Sequence, residues 1–291
     1  MTQIVNALTE ISARYKALFV DLWGCVHNGV RAHDAAVAAL QSYRAAGGIV
    51  VLVTNSPKPR AGVAVQLKQF GVPEDAYDTI ATSGDSARAA MYTGAVGSKV
   101  YFMGEWQRDE GFFEPLNVID NPVTITRVPL QDAEGIVCCG PFDPMADPDV
   151  NRADFLFAKQ KGLKLLCANP DIVVDRGERR EWCAGALAKL YTEMGGESLY
   201  FGKPHPPIYD LARRRLAALG TDIPDEEILA IGDGPLTDIA GAIGEGIDSL
   251  FISGGLAARE TKTSVQPDPE ALKTYLETEK FDPTYTIGHL R

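Results

Sequence analysis

Short apolar runs, each closed by a polar residue, alternate along this chain with segments whose apolar positions recur every three to four residues. ALFVDL (17–22) is the first such run, and GIVVLVTN (48–55) is a second, β-branched and unbroken, as in a strand covered on both faces. Between them DAAVAALQSYRAA (34–46) is helix-prone and stops at Gly47-Gly48. Val63, Leu67 and Phe70 then fall on one helical stripe that Gly71 closes. Strand, helix, strand, helix at this rhythm predicts parallel βαβ units.

The same rhythm returns near the end. SLYF (198–201) precedes a helix carrying Ile208, Leu211, Ala212, Leu216 and Leu219; EILAIGD (227–233) leads into TDIAGAIGEG; SLFI (249–252) is a further strand. DPEALKTYLETEKF (268–281) reads as a capped, Glu/Lys-laced surface helix. The middle has its own elements: strands at KVYFMG (99–104), EGIVCCG (134–140) and KLLCAN (164–169), with helices at 149–162 and 182–194. The economical reading is α/β, with a parallel-sheet core from residues 1–84 and 201–291 and an α/β domain at 85–200 inserted into it.

Composition adds exclusions. With 45% hydrophobic and 23% charged residues the chain is neither disordered nor fibrous. A net charge of −11 repels polyphosphates, so no nucleic-acid partner is expected, and an anionic substrate needs local positive groups. The N-terminal MTQIVNALTEISARYKAL lacks the pattern of an export signal, and no apolar run is long enough for a membrane span. Five cysteines, an odd count without framework spacing, predict reduced, packed thiols in a cytoplasmic protein; a redox pair is the lesser alternative. Cys138 and Cys139 are strand neighbours, so their side chains should face opposite ways.

In parallel sheets, ligands bind beyond the carboxyl ends of the strands. Asp21, Thr54 and Asp233 each end an apolar run there, and Lys203 follows SLYF. Any one of them alone is a turn former or helix cap. Together, a carboxylate nucleophile, a hydroxyl donor, an ammonium and a metal-binding acid make a phosphoryl-transfer set.

FVDLWGCVHNG (19–29), VTNSP (53–57), GKPHP (202–206) and GDGPLTDIAGA (232–242) resemble motifs I to IV of the haloacid-dehalogenase-like hydrolase superfamily, in order and over nearly the whole chain. ANPD (168–171) with AGAL (184–187) resembles its 4-nitrophenylphosphatase/NagD-like branch, in which a large α/β cap lies between motifs II and III. The resemblance implies a Rossmann-like core with an inserted cap and Mg2+-dependent phosphate-monoester hydrolysis of a small phosphorylated metabolite. It also admits a homodimer built through the cap. Carried over by position, Asp21 forms an aspartyl-phosphate. Thr54, with Asn55 and Ser56 behind it, holds phosphoryl oxygens, and Lys203 neutralises charge. Asp21, the Trp23 backbone carbonyl and Asp233 hold Mg2+, with Asp238 binding or orienting.

Position 23 departs from the pattern. Most phosphatases of this superfamily carry a second Asp there, which protonates the leaving oxygen; the Trp23 indole is no useful acid near neutral pH. Three outcomes stay open: selective cleavage of esters with acidic leaving groups, a relocated acid such as His27, His33 or a cap side chain, or a phospho-ligand-binding protein with weak turnover. Within DRGERRE, Arg176, Arg179 and Arg180 are either a solvated helix entry with Glu partners or a site for a second anionic group, for which Arg176 is the candidate. Asn169 and Asp171 are turn formers that the resemblance moves toward the substrate pocket. His27 and His33 lack further ligands at matching spacing, so zinc is not expected. His205 reads as a packing residue of its loop.

Overall fold

A computed structural model of the chain describes residues 2–116, 119–176, 179–220 and 222–291. These residues form two units, one of Met1–Thr54, Ala64–Ala81 and Tyr209–Arg291, the other of Asn55–Val63 and Thr82–Ile208. In sequence the second interrupts the first.

The first unit is built on a seven-stranded sheet in the order Gln3–Ile4, Tyr285–Ile287, Asp248–Ile252, Ile228–Gly232, Ala17–Val20, Ile49–Thr54, Thr79–Thr82. Ala17–Val20 lies between two parallel neighbours, with Val20 opposite Ile231 on one side and Leu52 on the other. All four of its side chains are buried, as are five of the six in Ile49–Thr54, which is why both read as unbroken apolar runs. The flanking helices include Asp34–Ala45 and Pro269–Glu279. The latter is capped as its sequence predicts: the Asp268 side chain accepts from the Ala271 N–H at 2.8 Å, and Pro269 opens the first turn.

The second unit carries a five-stranded parallel sheet in the order Glu197–Tyr200, Lys164–Cys167, Gly135–Cys138, Lys99–Met103, Thr126–Arg127. Strand alternation sends Ile136, Cys138, Leu165 and Cys167 into one apolar cluster, with Phe155 and Tyr191. Val137, Cys139 and Leu166 go into the opposite one, with Ala87 and Met91. Each fully buried Leu or Ile contributes about 1.5–3 kcal/mol. The adjacent cysteines therefore face opposite ways, as period two requires, and all five cysteines are buried outside any disulfide.

Several elements differ from the sequence reading. The strand predicted at SLYF forms one residue earlier, as Glu197–Tyr200, and is an edge strand of this second sheet. The segment 149–162 forms as a 3-10 turn, Pro148–Asn151, followed by the helix Arg152–Gln160. The charged run after ANPD is not a helix entry: Val173–Arg176 and Arg179–Trp182 pair as an antiparallel hairpin, while Gly177 and Glu178 of that run lie outside the described residues. Among the described residues, no helix is long and apolar enough to cross a membrane.

Candidate active site

In the first unit, Asp21 and Asp233 leave adjacent parallel strands at their carboxyl ends. The Asp21 N–H still bonds to the Ile231 carbonyl at 2.8 Å, so the backbone is laddered up to the point where its side chain emerges. Both carboxylates are buried. One ligand atom each from Asp21, Asp233 and Cys25 lie within 4.8 Å of one another. Glycines clear the space: a Cβ on Gly24 would stand 2.1 Å from Asp233 Oδ2, and one on Gly255 would stand 2.0 Å from it. Gly24 also has φ of +72°, where a side chain is strained. The Leu256 N–H, at 2.9 Å, donates to the same oxygen and fixes the carboxylate.

Two carboxylates this close repel by about 3 kcal/mol at an effective dielectric near 20. A divalent cation between them removes that repulsion, and paired carboxylate oxygens are donors a hard ion accepts. The residues present therefore fit the expected metal. Asp238 is not among the three converging groups. It sits in a π-helical turn, Pro235–Ile239, where its carboxylate accepts from the Gly234 N–H at 3.0 Å and braces the loop that carries Asp233. Thr54 closes its strand, buried, on the same edge of the sheet.

Residues 22–33 form a tight loop over this edge. Trp23 stands edge-on to His27, with ring centres 5.1 Å apart, and His27 packs in turn against Phe70 at 4.9 Å. Gly29, at φ +80°, leaves room for the indole, since a Cβ there would lie 2.1 Å from its ring. His27 Nδ1 accepts from the Gly29 N–H at 3.1 Å, which fixes a neutral imidazole with its proton on Nε2. Burial, reinforced by His33, pushes His27 down to about 4. His33 is also pushed down, first by burial and then by His289 and Arg31. An imidazole held neutral near pH 7 by the environment that packs it is a poor proton donor there.

The second unit organises Lys203. The Asn55 side chain clamps that residue's backbone, with Oδ1 accepting from the Lys203 N–H at 2.7 Å and Nδ2 donating to the Lys203 carbonyl at 3.1 Å. Nδ2 also donates to Asp171 Oδ1 at 2.7 Å. Asn55 thus ties the second motif to the third and to ANPD. Asn169 Oδ1 accepts from the Asp171 N–H at 3.0 Å, closing the ANPD turn. The Gly185 N–H donates to the Asp171 carbonyl at 3.1 Å, and a Cβ on Gly185 would meet the Pro170 carbonyl, which is why AGAL accompanies ANPD. Ser56 Oγ accepts from the Lys58 N–H at 3.2 Å.

Arg176 pairs with Glu181 across the hairpin at 3.2 Å, and Arg180 grips Asp175 with two nitrogens, at 2.7 and 2.8 Å. Lys58, which the sequence reading did not single out, lies within electrostatic reach of Arg108 and Arg176. Burial first, then the guanidiniums of Arg108 and Arg176, push the Lys58 ammonium down, with Asp109 opposing. His205 stacks on Tyr200 at 4.8 Å, as a packing residue would. Gly255 and Leu256, which seat Asp233, were not singled out either; their signal is the Gly254-Gly255 pair one residue after SLFI, at the same strand ends as Asp21 and Asp233.

A family profile described as haloacid dehalogenase-like hydrolase matches residues 18–115, and one described as "HAD-hyrolase-like" matches residues 200–278. A solved structure of a haloacid dehalogenase-like family hydrolase from Brucella suis 1330 is 37% identical, covers 99% of this chain and 100% of its own, and superposes with a TM-score of 0.85. The 5'-nucleotidase YutF of Bacillus subtilis (strain 168) is 26% identical over 260 residues, 88% of this chain and 93% of its own. The acid sugar phosphatase of Staphylococcus saprophyticus is 25% identical over 260 residues, 87% of this chain and 93% of its own. Strand order, the acids at the strand ends and a full-length relative of this identity agree: the chain belongs to the haloacid dehalogenase-like hydrolase family.

Proposed function

We propose that this protein is a Mg2+-dependent phosphate-monoester hydrolase that acts through an aspartyl-phosphate on a small phosphorylated metabolite and favours substrates whose leaving group departs without a proton. The observation that carries this reading is the pairing of Asp21 with Asp233 at the ends of neighbouring parallel strands. The names of the two curated relatives, a nucleotidase and a sugar phosphatase, support phosphate-ester chemistry on small molecules.

An Asp21 oxygen attacks phosphorus as the bond to the leaving oxygen breaks, and that oxygen carries off the electron pair. Water then attacks the same phosphorus, releasing phosphate and restoring Asp21. Asp21, the Trp23 carbonyl and Asp233 would hold Mg2+, which supplies neutralisation of the phosphoryl charge. Asp238 keeps the Asp233 loop in place. Thr54 and the backbone of Asn55 and Ser56 contact phosphoryl oxygens, and the Lys203 ammonium neutralises charge as the phosphoryl group transfers. Lys58, Arg108 and Arg176 support a substrate with a second anionic group, and Asn169 and Asp171 shape the loop beside them. Five buried cysteines outside disulfides support a reducing, cytoplasmic setting.

One observation favours a second reading, phospho-ligand binding with little turnover: Trp23 occupies the position of the usual proton donor. Mg2+-dependent release of phosphate from 4-nitrophenyl phosphate, lost in Asp21→Asn, supports the hydrolase. Tight Mg2+-dependent ligand binding without release supports the rival.

A further inference from the structure

Asp21 and Asp233 are hard oxygen donors, but the third group beside them is a thiol. Cys25 comes one residue after Gly24, whose missing side chain makes room for Asp233, so the turn that seats the carboxylate also delivers the sulfur. Cys25 is 2% exposed and outside any disulfide. It also lines a hollow of about 380 Å3, together with Gly24, Arg31, His33, Phe70 and His289, so water-sized space adjoins the residue. Carboxylate alone suits Mg2+, whereas a thiolate selects softer ions. One sulfur and two carboxylate donors match the three-ligand count of a zinc-type site.

We propose that Cys25 completes, with Asp21 and Asp233, a donor set that takes thiophilic divalent cations of the Zn2+, Co2+ and Cd2+ class in competition with Mg2+. This rests on reading the two carboxylates as the ion site. On binding, the S–H bond breaks as the sulfur–metal bond forms, and the proton passes to solvent. A soft ion held this way blocks the position Mg2+ would occupy, so such ions act as competitive inhibitors.

The test titrates metal-free, full-length protein with Cd2+ while following the near-ultraviolet thiolate-to-cadmium absorption, with Mg2+ binding measured separately by calorimetry. The expected result is a band that saturates at one ion per chain and disappears in both Cys25→Ser and Asp233→Asn. Cys25→Ser should weaken Cd2+ binding by about 10- to 100-fold and Mg2+ binding far less. The other four cysteines lie in the second unit, and Cys25→Ser reports their background. Asp233→Asn keeps the thiol, so it decides the matter even if the cysteine variant misfolds: a band that persists there overturns the proposal. No band in the wild type, with Mg2+ still bound in an Asp233-dependent way, overturns the role of Cys25 and leaves the carboxylate site standing. If neither ion binding depends on Asp21 and Asp233, both readings fall.

Discussion

Replacing Trp23 by Asp should raise the turnover of alkyl phosphates far more than that of 4-nitrophenyl phosphate. A positioned general acid contributes about 10²–10⁴-fold, equivalent to about 3–5 kcal/mol of barrier. His27, the imidazole packed against Trp23, is a poor replacement: with its pKa near 4, roughly one imidazole in a thousand is protonated at pH 7, which cancels most of the factor. The wild type should therefore show a steep fall of kcat/KM with rising leaving-group pKa. Trp23→Asp should flatten it, with a gain of at least about 100-fold on alkyl esters. The substitution removes the 5.1 Å edge contact with His27, a loss of about 0.5–1.5 kcal/mol. Trp23→Phe keeps an aromatic ring without adding an acid and controls for the packing change. The assay is a Mg2+-containing panel of phosphate esters ordered by leaving-group pKa. Equal wild-type rates on aryl and alkyl esters, or the same response in Trp23→Asp and Trp23→Phe, would refute the missing-acid reasoning.

Three further perturbations follow from the same geometry. His27 has its pKa lowered from 6.5 to about 4, so above pH 6.5 it is neutral in both folded and unfolded chains. Below that the unfolded chain gains a proton that the folded one refuses, and stability falls by about 3 kcal/mol by pH 4. His27→Asn, compared with wild type by urea unfolding at pH 7 and pH 5, should lose about 2 kcal/mol less between the two; identical pH slopes would contradict the assignment. Gly24→Ala drives a methyl into Asp233 at a positive φ and should weaken Mg2+ binding by about 10-fold or more while far-ultraviolet circular dichroism is retained; unchanged Mg2+ affinity would contradict it. Asn55→Ala removes three hydrogen bonds within the second unit and should lower stability by about 1–3 kcal/mol together with turnover. Full activity in that variant would show that the clamp on Lys203 is dispensable.

The sheet was legible where strands are covered on both faces, because burial leaves an unbroken apolar run, as in Ile49–Thr54 and Ile228–Gly232. It was not legible at the margins. Gln3–Ile4 and Tyr285–Ile287 are two and three residues long, too short for any period to show. The helix Ser83–Tyr92 opens on small polar residues and is fixed by Thr82 capping the Asp85 N–H at 2.9 Å, a signal that resembles a loop in the sequence. The hairpin at Val173–Trp182 hides beneath its charges. Asp21 and Asp233 were legible as strand-end acids because each follows an apolar run directly. The clamp of Asn55 on Lys203 was not, since it joins residues far apart in sequence. Cys25 read as a packing thiol for the same reason: only folding brings it to Asp233.

The claim on which all of this depends is that Asp21 carries the phosphoryl group while Asp233 supports it. Rapid mixing of the protein with 4-nitrophenyl phosphate and Mg2+, then borohydride quenching and peptide mass spectrometry, reads this out directly, because reduction of an aspartyl-phosphate leaves homoserine. Homoserine at position 21 in the wild type, and none there in Asp233→Asn, is the predicted result. Turnover with an unmodified Asp21, or with the label on another side chain, would contradict it.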